Sequence, residues 1–101
     1  MVFTMMMAYR TFARAHPVRY MLAFSPDLRL EAEFAESLAI PLQGIMAEWV
    51  GETKALAALR GAWSLVHGFV TLEMGERFRC GGDIDEAFRR SLEAYLSGWQ
   101  R

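Results

Sequence analysis

The sequence predicts an all-α protein, a single domain over residues 1–101 built as a bundle of five to six helices. Leu, Ala, Met, Glu and Arg dominate it, and all are good helix formers. No stretch alternates apolar and polar residues with period two for long enough to make a strand, and β-branched residues are sparse. Proline and glycine fall at intervals that cut the chain into helix-length pieces.

The first helix is expected from about Val2 to Ala15, with Met5, Ala8, Tyr9, Phe12 and Ala13 on its apolar face. Pro17 ends it, because the residue before a proline avoids helical geometry. Pro17 also suits a first helical position, so a short second helix runs to Phe24, and His16 caps the junction. Ser25-Pro26-Asp27 reads as a turn. A third helix extends from about Leu28 to Ala39, Pro41 breaks or kinks it, and a continuation to Val50 carries Leu42, Ile45, Met46 and Trp49 on one side. Gly51 closes that piece. The longest helix follows, from about Thr53 to Phe78. After Gly81-Gly82, Asp83 opens the last helix as N-cap, with Glu86 placed as in a capping box.

The longest helix has two apolar faces. At 100° per residue, Gly61, Leu65, Gly68, Leu72 and Gly75 share one narrow stripe with heptad spacing. Half a turn away lie Leu56, Leu59, Trp63, Val66, Val70 and Met74. A surface helix needs only one such face. The large side chains suit the domain's own core. A glycine inside a helix costs about 1 kcal/mol relative to alanine, which makes sense where a second helix must come close. The glycine stripe is therefore assigned to a second copy of the chain, the alternative being that both stripes serve one monomeric bundle. The last helix repeats Ile84, Phe88, Leu92, Tyr95 and Trp99 on one face. Phe88, Leu92 and Tyr95 join the expected interface, and two copies of the last two helices make a four-helix bundle.

Composition points the same way. Hydrophobic residues are 53% and aromatics 13% of 101 residues, more than so small a domain can hide alone. The net charge is −1, from 11 basic and 12 acidic residues, which argues against nucleic-acid binding by this chain. Arg10, Arg14 and Arg19 are spread out and read as solvated. A single cysteine, Cys80, excludes an internal disulfide and reads as an incidental thiol. The apolar start carries no basic residue before Arg10, unlike a secretory signal, and no uncharged stretch approaches the roughly 20 residues of a membrane span. A cytoplasmic, soluble protein without membrane partners is expected.

Two motifs resemble those of a known family. Trp63-Ser64-Leu65-Val66-His67-Gly68 is similar to the signature of the WHG-type C-terminal domain of TetR transcription regulators. Ala8-Tyr9-Arg10-Thr11-Phe12-Ala13, followed by His16-Pro17 and Tyr20-Met21-Leu22-Ala23-Phe24, resembles the opening of the same domain. The resemblance spans about residues 8 to 98. It implies an all-α sensor domain, homodimeric through its last two helices, whose pocket takes an effector that repositions an N-terminal helix-turn-helix domain. No room for that DNA-reading domain exists before Ala8, so operator binding is expected only through a part this chain lacks.

Phe12, Tyr20, Phe24, Met46, Trp49 and Trp63 come from separate segments and are expected to converge on a pocket for a small apolar or aromatic effector. His67 either contacts that effector or is a satisfied core histidine. Arg10 or Tyr20 is the expected polar contact. Isolated histidines without Cys or carboxylate at ligand spacing make no metal site, and no nucleophile with a base is visible, so no catalytic residue, metal or cofactor is assigned. The competing reading is a stand-alone helical interaction protein that forms mixed dimers with full-length regulators and binds no ligand.

Overall fold

The computed structural model describes the backbone of residues 2–23 and 30–99, and the side chains of 2–22 and 40–99. Five helices and no strand occur among them: α1 Val2–Ala15, α2 Pro17–Ala23, α3 Leu30–Val50, α4 Glu52–Met74 and α5 Ile84–Trp99. α4 is the spine. α3 folds back along it across the single residue Gly51, whose φ of +90° suits glycine. α1 and α5 pack on the remainder of α4, and α2 turns back on α1. The Cα atoms extend 38 × 35 × 17 Å, a slab about two helix layers thick.

The first helix has the expected bounds but a different phase. Val2, Met6, Arg10 and Ala13 are buried, while Ala8 and Phe12 are exposed. The Met5-Met6-Met7 run contains no polar residue to mark the solvent side, so the apolar face cannot be phased from composition. α3 runs through Pro41 without ending. Proline's fixed φ is itself helical, so the losses are one hydrogen bond and some crowding. Packing of Leu42, Ile45 and Met46 against the core offsets them.

α4 stops at Met74, short of the expected Phe78. The N–H of Arg77 donates to Leu72 O at 2.9 Å and that of Glu76 to Glu73 O at 3.1 Å, the paired bonds of a Schellman ending. Glu76 takes the left-handed position at φ +55°. Phe78 folds back on Phe69, ring centroids 4.8 Å apart. By length and composition α4 would suffice to cross a membrane; here α1, α3 and α5 pack on it and one of its faces stays open. At α5, the Asp83 carboxylate accepts the Glu86 N–H at 3.2 Å, as the N-cap reading requires. The Glu86 side chain pairs with Arg90 instead of completing the box.

Candidate functional site

A cavity of about 290 Å³ opens between α1, the second half of α3 and α4. α1 contributes Val2, Met5, Met6 and Tyr9; α3 contributes Pro41, Leu42 and Met46; α4 contributes Leu59, Ala62, Trp63 and Val66. The spacing explains the convergence. Leu59, Ala62, Trp63 and Val66 follow the i, i+3, i+4, i+7 pattern of one helix face, and Val2, Met5, Met6 and Tyr9 repeat it. Three methionines line the space with flexible, polarizable side chains.

A polar chain runs from the cavity wall into the fold. The Trp63 indole N–H donates to the Tyr9 hydroxyl at 3.2 Å, and Tyr9 donates to the Tyr20 oxygen at 3.4 Å. Tyr20 in turn meets His67 Nδ1 at 2.5 Å. The Tyr9 and Tyr20 rings meet edge to face, 5.6 Å between centroids. Burial pushes both tyrosine hydroxyls upward from their ordinary titration range, so both remain protonated donors at neutral pH.

Beside the cavity, further along α1 and α4, lies a charged clamp. Arg10 is only 6% exposed. Its Nε and Nη2 donate to the two Glu73 oxygens at 3.1 and 2.6 Å, and its Nη1 reaches Asp85 Oδ1 at 2.7 Å. The guanidinium also stands 5.6 Å from the Phe69 ring centroid and 5.1 Å from that of Phe88. Burial alone would favour its neutral form, but the bonds to Glu73 and Asp85 prevail and hold its pKa above the ordinary value. Arg14 adds a second, exposed contact to Asp85 at 3.1 Å.

The structure separates the expected site residues. Met46 and Trp63 line the cavity. Tyr20 is fully buried and joins the wall only through Tyr9, with His67 behind it as its hydrogen-bond partner. Phe12 is 47% exposed and faces away, because the phase of α1 differs from the expected one. Trp49 packs at the edge of the core outside the lining, and Phe24 lies outside the described residues. Arg10, expected as solvated or as an effector contact, is buried, and its charge is engaged in the clamp. Sequence reasoning missed Val2, Met5, Met6 and Tyr9, whose i, i+3, i+4, i+7 spacing was legible. It also missed Leu59 and Val66, read as plain core, and Ala62, which the stripe left out.

The expected interface residues separate as well. Phe88 and Leu92 are 0% exposed within one chain, so they belong to its own core and not to a partner surface. Tyr95 turns inward and donates to Ala58 O at 2.5 Å. A Cβ at Gly61 would collide with that Tyr95 hydroxyl, so this glycine admits α5 of the same chain. Gly75 is the C-cap residue beyond the end of α4. What stays open is Leu65, half-buried, Gly68, whose missing side chain would meet nothing within 4 Å, and Leu72, 46% exposed.

Among the described residues no cluster of His, Cys, Asp and Glu could hold a metal ion. The family described as tetracyclin repressor-like, C-terminal domain, matches residues 2–95 of the chain. No curated protein and no solved structure gives a significant match.

Proposed function

The chain belongs to the tetracyclin repressor-like C-terminal domain family, and from that premise we propose that it senses a small apolar effector and pairs with a second copy of itself. The family is one of transcription regulators and not of enzymes. The observation that carries the sensor reading is the apolar cavity between α1, α3 and α4, walled by Met46, Trp63 and Tyr9. Ligand pockets of this kind are mostly hydrocarbon with few polar groups. Because α1 forms one wall, an effector that fills the cavity acts directly on the helix nearest the N-terminus. The near-neutral charge leaves operator contact to another part of the regulator, in the cytoplasm.

Surface area supports pairing, which we assign to the outer face of α4. The chain exposes 7256 Å². A compact monomer of its mass exposes about 5,800 Å². Leu65, Gly68 and Leu72 form the open part of that face, and glycine there lets backbones approach closely.

Thermal-shift measurements with a panel of neutral aromatic and aliphatic compounds test the sensor reading. A ligand present at 100 times its Kd adds about 2.7 kcal/mol, roughly ten degrees or more in a domain this size. Light scattering after size exclusion tests the dimer, expected at twice the 11.5 kDa chain mass. Leu72→Glu should give a folded monomer. A wild-type monomer at micromolar concentration would refute the pairing, and a panel without any shift would refute the sensor.

A further inference from the structure

We infer that the effector is an uncharged, hydrocarbon-rich molecule of about a dozen heavy atoms, the size of a substituted bicyclic arene, and that its carboxylate counterparts are excluded. The inference rests on the sensor reading above and narrows it to a ligand class.

Size comes from volume. A dry cavity of about 150 Å³ holds benzene, with its six heavy atoms. The 290 Å³ between α1, α3 and α4 then accommodates about twice that. Class comes from charge. None of the described lining residues is an acid, a base or a histidine. Their polar groups, the Tyr9 hydroxyl and the Trp63 indole N–H, are bonded to each other and onward to Tyr20. Burial keeps the Tyr9 hydroxyl protonated, so the described part of the wall supplies no charge of its own. The cation next in sequence, Arg10, reaches past the lining to the C-terminal part of α4 and the start of α5, where Glu73 and Asp85 hold it beside the Phe69 and Phe88 rings. It cannot turn to meet an anion without leaving Glu73 unpaired in a largely buried position. A carboxylate buried against these residues would lose its water and find no compensating charge among them.

The test is isothermal titration of the full chain with 2-methylnaphthalene and with 2-naphthoate, the same ring system carrying a neutral or an anionic substituent. The neutral compound is expected to bind at least 100-fold more tightly. Met46→Trp, which fills the cavity, should abolish that binding; Ala62→Leu serves as a second filling variant should Met46→Trp lose its helical circular dichroism. Leu42→Lys, at the half-buried edge, should raise naphthoate affinity at least tenfold while leaving the neutral compound weakened. Naphthoate binding as tight as the neutral compound, and lost on filling, would overturn the ligand class while the cavity stands as a site. Binding of neither compound would overturn the site itself, and the ligand class with it.

Discussion

Adjacent residues of α1 enter two regions of opposite construction. Tyr9 faces the cavity, where, apart from the bonds of its hydroxyl, contacts are apolar, non-directional and incomplete. Arg10 faces the clamp, where a bidentate carboxylate, a second carboxylate and two aromatic faces fix one side chain. Apolar packing tolerates changes of shape and leaves room for a guest, whereas an ion pair out of water tolerates neither displacement nor loss of a partner. One helix is thus anchored at one point and adjustable beside it.

The largest expected effect lies in the clamp. Arg10→Ala leaves Glu73, 17% exposed, without its partner and should cost about 3 kcal/mol. The melting temperature should fall by more than ten degrees. Arg10→Met combined with Glu73→Leu should recover most of that loss, since apolar replacement of a buried pair is often neutral. If the single variant melted within two degrees of the wild type, the contrast between the two regions would collapse.

Next comes Tyr20→Phe, which removes the hydroxyl between Tyr9 and His67 and should cost about 1 to 2 kcal/mol. Because Tyr9 is the cavity wall, this change should also loosen effector binding, while Arg10→Met with Glu73→Leu should not. Equal effects of both on ligand affinity would show that the regions are not separable. Glu76→Gly should stabilise the domain by about 1 kcal/mol, since a side chain is unfavourable at φ +55°. Chemical denaturation would reveal it as a higher midpoint at unchanged slope.

The smallest effect is a pH dependence. The Arg10 hydrogen bond, then its charge, holds the Asp85 carboxyl below its ordinary value of 3.8. A depressed folded pKa contributes stability above the unfolded value, and that contribution disappears as the pH falls through the folded one. Stability should therefore decline below about pH 4. This component should shrink in Arg10→Met, where Arg14 alone still holds Asp85, and the acid limb would be flatter.

Local signals in the sequence were strong where they concern one turn of chain. Pro17 at the start of α2, Asp83 before α5 and Gly51 between α3 and α4 each act through their own backbone, and each stands where the sequence puts it. Signals failed where partners are remote. Arg10 looks solvated because its carboxylates lie 63 and 75 positions along the chain, the second separation being 85 minus 10. Pro41 looks like a break because the packing that carries α3 through it belongs to another helix. The misplacement of Phe88 and Leu92 has a different cause. α5 has one apolar face, which its own chain requires first, whereas α4 with its two stripes keeps part of one open. Of the cavity, Met46 and Trp63 were visible as large side chains, but the α1 wall was hidden by an error in helical phase.

The one-residue link at Gly51 has a consequence for the order of assembly. Joining α3 to α4 closes almost no loop, so this hairpin can form early at little entropic cost. α1 must find the middle of α4 from some fifty residues away, and contacts at such separations form slowly. Substitutions in the α3–α4 seam, such as Met46→Ala, should therefore slow refolding, whereas Met6→Ala in α1 should mainly hasten unfolding. The cavity, having α1 as one wall, then closes in the last step of folding, and a bound effector would act as a latch on that step.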